Sequence, residues 1–496
     1  MKIFVLSFIV FITLKVSSNN SIKLWGNTFI KNECIRNDES VSDFLEFHYS
    51  KIKITDYFCD TITVNVQQIG AKGDGITDDW AVIEKAVVNL DKLGGGILFF
   101  PNGTYIVKNA ISLKSKIIFR GESKYTTIIK ASNESLDNVF GQGYPLYKHW
   151  KKSRLVGGTI DRLKKPDFLT NYSEEEAFIT GGMAGYAVTN IKIENLTIDG
   201  NKNNRSENKV NLRGLSSSPF LGGEAVVSSS GGRAVVSGFF GGDSGFSIEP
   251  RTVEGVFDIG DLVQGEESGA TMIVQDKKAD DAYQMLIRFD AVSHSFVRNC
   301  IIKNSVFTAL SIYNYSNNNS IDSNEFFDNN KRGTDFTWGR MNIFVEFDAR
   351  KNIISNNTVN GGLGYSIFVQ STGGMNYDTH ILNNKVFHPG ADGIRVGNET
   401  SNSSIINSKI IGNTVVGANG EGAVGIRVIH YGEGVVSKAE ISNNLVKNCI
   451  YGILLQGRVG DSRIFDNFVI CSEKVNIAST ALLKGNRIFN NSIKEN

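Results

Sequence analysis

Two carboxylates, Glu346 and Asp348, lie two positions apart in the segment FVEFDAR. On a strand, that spacing puts both side chains on one side, about 6.5–7 Å apart at ~3.3 Å per residue. Glycoside hydrolysis uses carboxyl separations near this value, one group acting as acid and the other as base or nucleophile. A second set of residues is cationic and aromatic. Arg395 and Arg427 would bind an anionic sugar, Asp392 flanks Arg395, and Trp338 offers a ring on which a sugar stacks. Elimination would use the set differently. A base removes the proton α to a uronate and a cation stabilises the resulting anion, roles open to Arg395, Arg427 or Tyr313. His388 and His430 stand alone and read as structural. The cysteine spacing suits no zinc site, and neither a metal nor a cofactor is expected.

These residues need a scaffold that brings distant segments side by side. The second half of the chain repeats itself: IDSNEF, ISNNTV, ILNNKV, IIGNTV, ISNNLV, IFDNFV and LKGNRI. The recurring asparagines are Asn324, Asn357, Asn384, Asn413, Asn444, Asn467 and Asn486. A second repeat interleaves with the first: TALSIYN, MNIFVEF, YSIFVQS, DGIRVGN, VGIRVIH and YGILLQG. Its apolar residues alternate, as in strands with one buried face. Short strands recurring every ~20–30 residues and stacked in coils make a parallel β-helix. The asparagine suits the bend because it tolerates left-handed backbone and bonds neighbouring main chain. An antiparallel sandwich would need no fixed asparagine in its turns. Aligning the second repeat on Leu310, Ile343, Ile367, Ile394, Ile426 and Ile453 points Ser311, Phe344, Phe368, Arg395, Arg427 and Leu454 outward. The expected outer face is long, flat and open to a polymer. Arg395 and Arg427 lie two and three coils beyond Glu346, about 10 and 14 Å away at the ~4.8 Å rung spacing.

A β-helix has open ends that need a lid. In GAKGDGITDDWAVIEKAV, helical spacing of Val82, Ile83, Ala86 and Val87 continues to Leu90. Asp78 or Asp79 is expected at the N-cap, its carboxylate accepting backbone N–H groups and opposing the helix dipole. Asp74, Asp78 and Asp79 therefore read as structural. This stretch, with GGGILFFPNGTYIV and IENLTIDGN, resembles the pectate-lyase-like superfamily of right-handed parallel β-helix proteins. That superfamily holds secreted polysaccharide lyases and hydrolases and phage tail-spikes. The resemblance covers roughly 67–202 and 291–496, and implies an all-β right-handed parallel β-helix with an N-terminal capping α-helix. The chain departs from the polygalacturonase branch: Gly-His-Gly and Arg-Ile-Lys are absent and TDD occurs only in the cap. Those catalytic roles do not carry over, and no calcium-binding carboxylate cluster of the pectate lyase sort is evident.

The remaining segments set the organisation. Residues 1–18 read as a signal peptide, with an apolar run from Ile3 to Leu14. Then come an N-terminal segment at 19–66, the β-helix with its cap at 67–202, an inserted β module at 203–290 and the rest of the β-helix at 291–496. In the module, Gly223–Val236 and Gly260–Val274 each read as a hairpin. An excursion at 131–186 carries YPLYKHWKKSRL, whose lysines and rings suit uronate or sulfate groups. Of the five cysteines, Cys34 and Cys59 are the expected pair if the chain is exported; buried thiols are the alternative. With 41% hydrophobic and 21% charged residues the chain is globular, and a net charge of +1 argues against nucleic acid. No run beyond the leader is long enough to span a membrane. The sequence points to an exported or virion-surface protein that binds an acidic polysaccharide and cleaves it by hydrolysis or β-elimination. A non-catalytic glycan-binding spike, possible as a homotrimer, is the alternative.

Overall fold

In the computed structural model the described residues run from 62 to 494, leaving out 136–138, 142–154, 157–158, 161–187, 206–208, 222–223, 240–244, 249–251, 281–284, 314–315, 331–339, 347, 372–374, 399–402 and 471–473. The proposed leader, the Cys34–Cys59 pair, Trp338 and the basic stretch at 144–154 lie outside them. Cys300 and Cys449 are buried free thiols.

Each coil between the first and the last contributes one short strand to each of three parallel sheets. In one coil these are Phe296–Arg298 in sheet I, Ile301–Lys303 in sheet II and Leu310–Tyr313 in sheet III. Sheets I and II have 12 strands and sheet III has 10, since the first and last coils contribute to sheets I and II alone among the described residues. Parallel neighbours need a long connection, and here the rest of the coil supplies it. The register is one residue to one residue. In sheet I, Val297, Ile321, Ile354, Ile381, Ile410, Ile441, Ile464 and Ile488 pair in turn. A slip of one residue would turn that whole aliphatic column to solvent.

The bend between sheets I and II divides its work between two adjacent residues. The left-handed residue comes first: Ser323, Asn356, Asn383, Gly412, Asn443, Asp466 and Asn490, with φ of 57°, 56°, 55°, 69°, 56°, 53° and 52°. The recurring asparagine follows it and is buried. The expectation that this asparagine itself takes the left-handed conformation is therefore corrected. Its role is in the hydrogen bonding. Asn384 Oδ1 accepts from both the backbone N–H and Nδ2 of Asn357, at 3.0 Å each, while Asn384 Nδ2 donates to Ile354 O and Asn413 Oδ1. The pattern runs from Asn324 to Asn467 and closes on Asn491, whose Oδ1 accepts from Asn467. Asn486 belongs to the other bend, between sheets III and I, where its Oδ1 accepts from Ser462 N.

Helix α1 (Trp80–Lys92) covers the N-terminal end, burying Ile83, Ala86, Val87 and Leu90 against the first coils. Asp79 is its N-cap residue, yet its carboxylate makes no cap bond. It turns back into the preceding loop and accepts from Lys72 N at 2.6 Å and Gly73 N at 3.0 Å. Burial pushes the Asp79 carboxyl up against those two bonds. Asp78 Oδ1 accepts from Trp80 N and Lys108 N, and Asp74 holds the turn through Ile76 N and Thr77 N. All three aspartates are structural.

Between sheet II strand Thr197–Asp199 and sheet III strand Ile287–Asp290, the chain forms a separate seven-stranded antiparallel sheet within Lys209–Asp280. It has its own core, including Leu212, Val236, Phe246, Phe257 and Met272. Ala225–Ser228 pairs with Arg233–Phe239, and Leu262–Gly265 with Thr271–Ile273. Ile287–Asp290 pairs with Leu310–Tyr313, so these residues, placed with the insertion by sequence, belong to the solenoid.

On the outside of sheet I, Glu194 sits between two arginines one rung to either side. Its oxygens lie 2.6 Å from Arg120 Nε and 2.7 Å from Arg298 Nη2. Burial pushes this carboxyl up, but the two guanidinium groups together outweigh burial and hold it below its ordinary value.

Two predictions follow from these contacts. Asn384→Ala strands the N–H of Asn357 and one of its two Nδ2 hydrogens, the other still bonding Ile321 O, and a buried orphan costs about 1–3 kcal/mol. The guanidinium unfolding midpoint should fall clearly, and by less for Asn486→Ala at the more exposed bend; equal losses would refute the ladder's role. A lowered Glu194 carboxyl stabilises the fold above its ordinary value of 4.5 and loses that contribution as pH falls through the folded value. Glu194→Gln should therefore cost about 1–2 kcal/mol at pH 7, with the gap from the native protein closing as pH falls below 4.5; a gap that stays constant with pH would contradict this assignment.

Candidate functional site: the outer face of sheet III

Strand alternation sets two outward columns on sheet III. Ser311, Phe344, Phe368, Arg395, Arg427 and Leu454 pair rung by rung in the first, in the register expected from sequence. The second begins with Asp290 paired to Tyr313. Glu346 N donates to Ile312 O and Gln370 N to Val345 O, which sets Glu346 beside Tyr313 and Gln370 beside Glu346. The row then stops at Gly397 (φ 118°), where an added Cβ would lie 1.7 Å from Ile429 O.

This face is not the open, flat surface that the alternation suggested. Phe344, Phe368, Arg395, Glu346 and Tyr313 are only 3%, 4%, 6%, 6% and 7% exposed. Rings pave it: Tyr313 meets Phe344 edge-on at 5.4 Å, Phe344 lies 5.4 Å from Phe368, and Tyr365 lies 4.9 Å from Phe368.

The two expected catalytic carboxylates part company. The strand Met341–Val345 ends before them, and Asp348 adopts φ 58°, so alternation no longer applies. Asp348 Oδ1 accepts from Met375 N at 2.5 Å and lies 3.6 Å from Arg350 Nη2, which makes it a turn residue. Glu346 stays on the face and accepts from Gln370 Nε2 at 2.5 Å.

The arginines are not free arms. Arg395 has its guanidinium 5.2 Å from the ring centres of both Tyr365 and Phe368, and donates to Tyr365 Oη at 3.1 Å. Arg427 lies 2.9 Å from Asp392 through Nε and donates to Gln456 Oε1 and Gly422 O. Asp392, 2% exposed, thus serves both arginines, with Arg395 Nη1 at 3.7 Å. Burial pushes the Asp392 carboxyl up against the pull of Arg427 and then Arg395. Asp392 is a positioning residue.

Reasoning from sequence missed Asp290 and Arg288. Arg288 Nε lies 2.5 Å from Asp290 Oδ2, and its guanidinium is 5.2 Å from the Tyr313 ring centre. The signal was present in IRFD, which alternates like LSIY, but the insertion was drawn past it. The result is a row Asp290–Tyr313–Glu346–Gln370 on consecutive rungs. Its two carboxylates are two rungs apart, about 9.6 Å between Cα atoms at ~4.8 Å per rung. Inverting glycosidases hold their two carboxyl groups roughly 6.5–9.5 Å apart, and this backbone spacing is of the same order. The insertion returns into Ile287, which pairs with Phe140 of a neighbouring sheet III strand. Among the described residues, no group of three or more His, Cys, Asp or Glu side chains is arranged to hold a metal ion.

Residues 63–253 match the family described as rhamnogalacturonase A/epimerase, pectate lyase-like. The preneck appendage protein of Bacillus phage PZA is 33% identical over 122 residues, 23% of this chain and 13% of that protein. Alginate lyase 7 of Azotobacter vinelandii is 28% identical over 148 residues, 27% of this chain and 16% of the enzyme. The match therefore spans only a small part of either relative. Among solved structures, ORF18 of Geobacillus virus E2 superposes with a TM-score of 0.47 at 14% identity, covering 96% of this chain and 67% of that one. The family match covers residues 63–253 and the three-sheet coil continues to residue 493, so the chain is a parallel β-helix protein that resembles the pectate-lyase-like superfamily.

Proposed function

We propose that this protein binds an acidic polysaccharide over the outer face of sheet III and cleaves it there, with Glu346 and Asp290 as the acid/base pair. The observation that carries this reading is the row Asp290–Tyr313–Glu346–Gln370, which sets two carboxylates across a phenol. Hydrolysis by an acid/base pair fits two carboxylates placed two rungs apart. In an elimination, Tyr313 would act as base and Arg288 would neutralise the developing anion. Gln370 adds support: its Oε1 is buried and lacks a hydrogen-bond partner among the described residues, and a sugar hydroxyl would satisfy it. Asp348 now lies outside the acid/base pair and holds a turn. The family description and the alginate lyase relative agree with a polysaccharide substrate.

A second reading is a glycan-binding appendage without turnover. Specific observations favour it: the row is only 2–7% exposed, so little of it is open to a polymer, and a phage appendage protein is among the relatives. Both readings place the protein outside the cell or on a virion surface. Among the described residues, no helix is long and apolar enough to cross a membrane.

The two separate in one experiment. The full chain is incubated with a panel of uronic-acid polymers while unsaturated product absorbance and new reducing ends are followed. Glu346→Gln and Asp290→Asn should each lower turnover at least about 100-fold with polymer binding retained, and Asp348→Asn should mainly lower thermal stability. Turnover unchanged in Glu346→Gln would discard the site. Binding without product, with a trimer on sizing, would establish the appendage reading.

A further inference from the structure

A second polar site lies on the outside of sheet II, where the chain leaves the solenoid for the insertion. Lys130, Asp199 and Lys303 pair on three adjacent rungs. A cleft of about 160 Å³ opens beside them, lined by Lys130, Asp199, Asn201, Lys202, Asn204 and Asn304, with Asn203 at its rim. Its walls are fixed. Asp199 Oδ1 accepts from Asn201 N at 2.9 Å and Asn304 Nδ2 at 3.0 Å, and Oδ2 lies 3.7 Å from Lys303 Nζ. Asn201 is 7% exposed, and its Nδ2 donates to Ala131 O at 3.0 Å.

The chemistry of the lining selects its ligand. The one carboxylate is engaged on both oxygens, so it offers little to a cation. Lys130 makes no ion pair or hydrogen bond among the described residues, and the lining carries two ammonium groups, Lys130 and Lys202, against one carboxylate. The cleft is open to solvent and has room for one face of a six-membered ring, and amide and ammonium walls suit a hydroxylated, anionic one. We propose that this cleft binds a single hexuronate unit, with Lys130 meeting the carboxylate and the Oδ1 atoms of Asn204 and Asn304 accepting from ring hydroxyls. It is a subsite separate from the sheet III row, and it rests on the reading that the polymer is acidic.

Lysine footprinting by mild acetylation and mass spectrometry tests it on the full chain, with uronate oligosaccharide, neutral oligosaccharide or inorganic sulfate as probes. The expected result is at least fivefold slower acetylation of Lys130 with the uronate oligosaccharide only, no change at exposed Lys72, and at least fivefold weaker uronate binding by Lys130→Gln at an unchanged unfolding midpoint. If uronate polymer binds the native protein and Lys130→Gln equally and Lys130 stays reactive, the cleft proposal is overturned while the sheet III reading stands. Protection by sulfate but not by uronate replaces the sugar with a small inorganic anion and overturns it too. If no uronate polymer binds the native protein at all, both proposals fall together.

Discussion

The structure depends on one constraint: from Cys300 onward, the inner corner between sheets I and II buries main-chain and amide groups that the next coil satisfies. A buried N–H without a partner costs as much as several well-packed methyl groups contribute. The asparagine ladder meets that demand by letting one side-chain oxygen accept two bonds from the coil before. Asn357 and Asn384 illustrate it, since the amide of one is paired only when the other stands one rung away. The ladder therefore fixes coil-to-coil register as well as stabilising it. Cys300 begins the series, its N–H donating to Asn324 Oδ1, and burial pushes its thiol up to about 12, which keeps it a packed neutral group.

A fixed register turns residues distant in sequence into rungs of one row. Asp290, Tyr313, Glu346 and Gln370 become neighbours because Phe289, Ile312, Val345 and Val369 are stacked behind them. The same rule builds the arginine–glutamate–arginine column on sheet I and the Lys130–Asp199–Lys303 column on sheet II. Opposite charges alternate along these columns, so adjacent rungs attract. Where a large side chain cannot fit, as at Gly397, the row ends.

Both ends of the acid-rich N-terminal stretch show how local chemistry serves this scaffold. Glycines there permit tight turns, and each aspartate spends its oxygens on backbone N–H groups. The carboxylates shape a loop that seats helix α1 over the first coil, which shields an edge that would otherwise pair with another chain. The inserted antiparallel sheet interrupts the solenoid without disturbing its register because it has a core of its own.

The sequence by itself determined the coil. Alternating aliphatics and recurring asparagines state which residues face inward, and the outward column from Ser311 to Leu454 follows from them. The helix face from Ile83 to Leu90 was equally legible, because period and burial go together. What the sequence could not state was the environment of the outward side chains. Strand termini decide whether Asp348 shares a face with Glu346, and the strand ends at Val345, before either of them, with Asp348 left-handed. Packing between rungs decides whether Arg395 is an arm or a buried brace, and two rings and a shared aspartate made it a brace. Even Asp290 became visible only once its strand was seen to pair with Leu310–Tyr313. Inward positions are set by a periodic local pattern, whereas outward ones depend on neighbours contributed by other coils and by the loops between them.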